Sequence, residues 1–110
     1  MNEIKRQPKP EILYEENLEQ FNALVAAGKA PDLRNRNLSN LDLRGFDLCH
    51  ADLSGAYLSG ANLGGVDLSG ANLSGASIRK AVVSGCLFPK DLAVDEIRMS
   101  LEYGTRIRHR

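Results

Sequence analysis

The sequence predicts a solenoid, a rod wound from one short unit, and three regularities support that expectation. An apolar residue recurs at every fifth position: Leu33, Leu38, Leu43, Leu48, Leu53, Leu58, Leu63, Leu68, Leu73, Ile78, Val83 and Phe88. The residue two places before it is usually small or apolar, as at Leu41, Phe46, Ala51, Ala56, Ala61, Val66, Ala71, Ala76, Ala81 and Cys86. The residue two places after it is often glycine: Gly45, Gly55, Gly60, Gly65, Gly70, Gly75 and Gly85. Neither the helical period of about 3.6 nor the strand period of about 2 produces this spacing. A fixed short period held over about sixty residues marks a repeat architecture.

At 110 residues the chain is one domain. A hydrophobic fraction of 43% suits a folded protein. There is no Trp and aromatic residues make up 5%, so the core must be built from Leu and Ala. Such a core is narrow, and stability has to come from stacking a regular unit. Fourteen basic residues balance fourteen acidic ones. The balance is also local: five acids and four bases in 1–30, five and six in 31–90, four and four in 91–110. No segment carries the basic excess of a nucleic-acid binder, so nucleic acid is not an expected partner. The first ten residues lack the apolar run of a signal peptide, and no apolar run reaches membrane-spanning length. The two cysteines have no metal-like spacing, and the expectation is a soluble cytoplasmic protein without membrane contact.

Residues 1–30 read as a tail followed by a capping helix. Pro8 and Pro10 disfavour helix near the start, and residues 1–10 are expected to be disordered. A helix is predicted over about 17–27, with Asn17 as N-cap and Gln20 completing a capping box. Leu18, Phe21, Leu24 and Val25 share one face, Gly28 is expected just past the end, and Pro31 blocks continuation. The terminal coil of a solenoid has an uncovered core and an unpaired edge, so this helix is expected to cover the rod's end.

Residues 31–90 read PDLRN, RNLSN, LDLRG, FDLCH, ADLSG, AYLSG, ANLGG, VDLSG, ANLSG, ASIRK, AVVSG, CLFPK. This stretch resembles the pentapeptide-repeat family, whose motif is A(D/N)LXX. The resemblance implies an all-β fold, a right-handed quadrilateral β-helix of about three coils, here with short capping α-helices at its N- and C-terminal ends. Each pentapeptide would form one side, with its central residue and the one two before it pointing inward. The residue types agree, Pro31 and Arg36 being the main departures. Residues twenty apart then stack at roughly 4.8 Å. Burying each Leu contributes about 1.5–3 kcal/mol before entropy is counted. Glycine at the fifth place is expected to serve corners that need an unusual φ. Val82, Leu87 and Pro89 break the polar outward pattern, and Leu87 is expected to pack under the C-terminal segment.

Residues 91–110 read as a second capping helix over about 91–103 and a basic tail. Asp91 or Asp95 would cap the helix, Val94, Ile97 and Leu101 would line its inner face, and Gly104 would stop it. The tail carries Arg106, Arg108, His109 and Arg110, which would suit an acidic partner.

Candidate chemistry is sparse. Cys49 and His50 are adjacent, and a Cys–His pair can form a nucleophile. Neighbours at a corner diverge, however, and no third group stands out. The carboxylates Asp32, Asp42, Asp47, Asp52 and Asp67 read as solvated surface, with Asp32 stacked on Asp52 and Asp47 on Asp67. Cys49 and Cys86 lie too far apart for a disulfide. No catalytic residue, cofactor or metal site is expected. A flat-sided rod without a cleft suits macromolecular binding better than a small ligand.

The functional expectation is a non-catalytic scaffold or protein-interaction module, with a protein partner of unknown identity. The first surfaces to consider are Tyr57, Arg44 with the Gly64 gap above it, and the tail residues Arg106, Arg108 and Arg110. The resemblance implies one alternative, since the best-known activity of the family is protection of DNA gyrase by mimicry of duplex DNA. Five acids against six bases in the repeats, and a length of roughly 15 Å, disfavour it. A homodimer joined end to end would lengthen the rod.

Overall fold

In the computed structural model, residues 18–109 are described. The disorder expected at 1–10, the Asn17 cap and Arg110 lie outside them. Parallel bridges join residues twenty apart: Asn37 to Tyr57, Asp42 to Asn62, Asp52 to Asn72, Tyr57 to Ser77, Asn62 to Val82 and Asp67 to Leu87. Twenty residues therefore make one coil, and three coils cover 31–50, 51–70 and 71–90. Each bridge is isolated, and no longer strand forms among the described residues. The expected β-helix is thus held by isolated bridges rather than by continuous strands. The reason is the turn that ends most sides: Ala56 N–H bonds Leu53 C=O at 2.9 Å and Ala61 N–H bonds Leu58 C=O at 3.0 Å. A five-residue side that spends its last residues on a turn has little left to pair.

Between coils the backbone repeats one pattern. Leu58 N–H donates to Ser77 C=O at 2.8 Å, Gly60 N–H to Arg79 C=O at 2.8 Å, and Ser77 N–H to Ala56 C=O at 3.0 Å. The corner after three of the sides needs positive φ at the fifth residue, as at Gly55 (φ 70), and Asn35, Asn40 and Lys80 adopt it without being glycine. This is the second central position of a type II turn. The fourth side differs, because neither His50 nor Gly70 lies in that region. Gly70 answers to space instead: a Cβ there would sit 2.8 Å from Cys49 C=O and 2.6 Å from His50 Nδ1.

The inward ladder from Leu33 to Ile78 is buried, with Leu53, Leu58, Leu63, Leu68, Leu73 and Ile78 at 0% exposure. Ala56, Ala61 and Ala76 fill the other inward position. Val83 and Phe88 are only half-buried. No bridge joins Asp32 to Asp52 or Asp47 to Asp67, although Asn35 N–H still donates to Ser54 C=O at 2.9 Å on the first of these sides. A notch of about 450 Å³ opens at that corner, floored by Phe21, Val25 and Leu33 and rimmed by Asp32, Asp47 and Asp52. The rod is thus not free of clefts.

Helix α1 spans Leu18–Ala26. Gly28 (φ 75) closes it: Gly28 N–H bonds Val25 C=O at 3.0 Å and Lys29 N–H bonds Leu24 C=O at 2.8 Å, a Schellman arrangement. Phe21 is buried against Phe46 in an edge-to-face contact with centroids 5.2 Å apart. Asn22 stands in for a missing coil, donating to Gly45 C=O at 3.1 Å and accepting from Asp47 N–H at 2.7 Å.

Helix α2 spans Val94–Tyr103 and ends at Gly104 (φ 74). Neither Asp91 nor Asp95 caps it; Ala93 is the N-cap and makes no side-chain bond. Asp91 is instead engaged by His109 at 3.0 Å. Val94 is 75% exposed, so it does not line the inner face; Leu92, Ile97 and Leu101 reach the core, and Ser100 is fully buried. The basic tail is no free tail. It runs back antiparallel over the third coil, where Ile107 C=O accepts from Gly75 N–H at 2.7 Å and Ile107 N–H donates to Ala76 C=O at 2.8 Å. Leu101 C=O takes Lys80 N–H at 3.0 Å, Ser100 Oγ takes Ile78 N–H at 3.0 Å, and His109 Nδ1 takes Leu73 N–H at 3.2 Å. The C-terminal segment therefore caps two of the rod's four sides.

Candidate binding faces

The second residue of each repeat decides what each side presents. At eight positions an Asp or Asn Oδ1 accepts the backbone N–H two residues on: Asp32, Asn37, Asp42, Asp47, Asp52, Asn62, Asp67 and Asn72. These side chains close their own turns. Two arginines lock in beside them. Arg34 clasps Asp32 at 3.0 Å through both Nε and Nη2, and Arg44 clasps Asp42 at 2.8 and 2.7 Å. These side-chain bonds, then the backbone N–H of Arg34 and of Arg44, hold both carboxyls down at about 2. Arg44 is thus paired within its own turn while its side chain stays 61% exposed.

The four remaining second positions are Tyr57, Ser77, Val82 and Leu87. Two of them serve the cap. Arg106 lies over the Tyr57 ring at 5.0 Å, bonds its hydroxyl, and donates to Gly75 C=O at 3.0 Å. Ser77 Oγ donates to Gly104 C=O at 3.1 Å. The structure thus joins Tyr57 and Arg106, which the sequence offers as separate candidates. Arg108 is also engaged, with Glu96 at 2.7 and 3.0 Å. That bond leads in drawing the Glu96 carboxyl below its usual range. Val82 and Leu87 are 48% and 57% exposed. Leu87 does not pack under the C-terminal segment, because that segment lies over the other two sides.

The residues suggestive of catalysis do not converge. Cys49 Sγ sits 3.6 Å from Asp67 Oδ2 and 3.8 Å from Ser69 Oγ. The His50 ring lies against Gly70. Cys86 is half-buried, and desolvation pushes its thiol up to about 11, away from nucleophilic character. Both cysteines are free, and no cluster among the described residues could hold a metal ion. No helix among them is long and apolar enough to cross a membrane.

Sequence reasoning missed the half-covered end. Two signals were present. Arg106-Ile107-Arg108 alternates charged and apolar residues, as a strand does. Val82 and Leu87 also depart from Asx at adjacent sides.

The coil geometry, the inward ladder and the Asx-closed turns define a pentapeptide-repeat β-helix. The family model for pentapeptide repeats matches in eight copies, over residues 32–65 and 51–88, and the chain belongs to that family. Comparisons with curated proteins and with solved structures each returned no match.

Proposed function

We propose that this chain is a non-catalytic scaffold that presents a rigid surface to a protein partner. The observation that carries the reading is the use of the polar side chains. Eight Asx residues close turns and five arginines pair internally. Little is left over for chemistry, while the backbone lattice fixes the outward side chains in rows. A right-handed winding, as the family implies, belongs to this reading. The free thiols of Cys49 and Cys86 suit a reducing compartment such as the cytoplasm. Mimicry of DNA fits poorly, because Arg34 and Arg44 neutralise two of the rod's carboxylates in place.

The test is affinity capture from an extract of the cells that make the protein. Ala61→Arg serves as the unfolded control, since Ala61 is at 0% exposure. The reading expects a protein retained in near-stoichiometric amount by the folded chain and not by the control. Equal recoveries from both would overturn it.

A further inference from the structure

The C-terminal cap covers only half of the rod's end. On the first two sides of the third coil, Leu73, Gly75, Ile78 and Lys80 N–H all find acceptors in the returning segment. On the other two sides the matching groups find none among the described residues. One coil lower, Leu63, Gly65 and Leu68 N–H donate to Val82, Ser84 and Leu87 C=O, and Ala61 and Val66 C=O accept from Val82 and Leu87 N–H. The corresponding groups of the third coil are the N–H of Val83, Gly85 and Phe88 and the C=O of Ala81 and Cys86. They form an open ladder edge, three donors and two acceptors in fixed register.

The side chains along this edge differ from the rest of the rod. Val82 and Leu87 replace the turn-closing Asx and stand 48% and 57% exposed, although the capped sides keep Asn72 and Ser77 at the equivalent places. Val83 and Phe88, inward residues elsewhere sealed by the next coil, are half-buried. No charged residue lies between Ala81 and Pro89, and exposed Lys80 and Lys90 stand at the two ends. An apolar edge with unpaired backbone is a site for added strand pairing.

We propose that this edge binds a partner protein through a bent, extended loop with apolar second residues and acidic ends. The proposal rests on the reading of the chain as a protein-binding scaffold. The bend follows from the edge itself, which turns a corner at Gly85 (φ 72). Each arm of the loop takes the part of one pentapeptide side. Its second-residue N–H reaches Ala81 or Cys86 C=O, and its carbonyls receive Val83, Gly85 and Phe88 N–H. Acidic ends meet Lys80 and Lys90. A second copy of this chain fits less well in either orientation. Head to head, it would bring Lys80 and Lys90 against the same lysines. Head to tail, it would meet α1, whose Asn22 already occupies Gly45 C=O and Asp47 N–H.

The probe is a labelled synthetic peptide of sequence Glu-Ala-Val-Leu-Ser-Gly-Ala-Leu-Leu-Ser-Gly-Glu, followed by fluorescence anisotropy and by amide chemical shifts. Two controls accompany it, one with lysine at both ends and one with proline at both second residues, which removes the two N–H donors. The acidic-ended peptide is expected to bind and to shift Val83, Gly85 and Phe88. Each control, and the double variant Val82→Lys/Leu87→Lys, is expected to weaken binding by about tenfold or more, or about 1.4 kcal/mol. Absence of binding, equal binding by either control, or a self-associated dimer that the double variant dissolves would each overturn the proposal. Affinity capture separates it from the scaffold reading. If the folded double variant still retains the wild-type partner, the edge is wrong and the scaffold stands. If wild type retains nothing beyond the unfolded control, the scaffold reading fails first.

Discussion

Ser100→Ala isolates the contact between the returning C-terminal segment and the rod. Ser100 is at 0% exposure, and its Oγ accepts Ile78 N–H at 3.0 Å in a buried setting. Alanine fits the same space but leaves a buried N–H without a partner, at a cost of about 1–3 kcal/mol. Better helix propensity returns roughly 0.5 kcal/mol. The net loss is about 0.5–2.5 kcal/mol, which for a domain of this size lowers Tm by about 2–20 °C. Circular dichroism melts measure it, with Ser84→Ala as an exposed control. Amide exchange at Ile78 should quicken in the same variant. A melt within a degree or so of wild type, with Ile78 still protected, would refute the cap's role.

Three further outcomes follow from the geometry. Asp67→Asn keeps the turn bond to Ser69 N–H but removes a carboxylate that Ser69 and Cys49 hold below its usual range in the folded rod, and should lower the denaturant midpoint slightly at neutral pH; a raised midpoint would contradict it. Gly70→Ala should cost about 1–3 kcal/mol because its Cβ would meet Cys49 C=O at 2.8 Å; a melt unchanged from wild type would contradict that packing. Acid should loosen the C-terminal segment. Asp91 and Glu96, which anchor it through His109 and Arg108, both have carboxyls held below their usual range. Their stabilisation is present above the unfolded carboxylate pKa of about 4 and is lost as pH falls through the lower folded values. Amide exchange at Gly75 and Ile78 should therefore accelerate below about pH 4, before Leu63 does.

Much of the fold was legible because one physical requirement repeats. Every fifth residue must fill a narrow lumen, so Leu38 or Leu63 announces its place without reference to the rest of the chain. Gly28 and Gly104 likewise read as helix stops from local backbone chemistry. What the sequence hid depends on distant neighbours. Ile107 looks like part of a tail until Gly75 and Ala76 offer it a ladder. Tyr57 reads as an open aromatic, and only the returning Arg106 turns it into part of the cap. The candidate face was visible only as an anomaly, Val82 and Leu87 where Asx belongs. Its meaning needed the knowledge of which sides the C-terminal segment covers.

The most direct test is residue-resolved amide exchange on the free protein at neutral pH. Protection is expected at Leu73, Gly75, Ile78 and Lys80, beneath the returning segment, and fast exchange at Val83, Gly85 and Phe88. If those three are as protected as Leu63, Gly65 and Leu68 one coil below, the edge is covered and the half-capped rod is wrong.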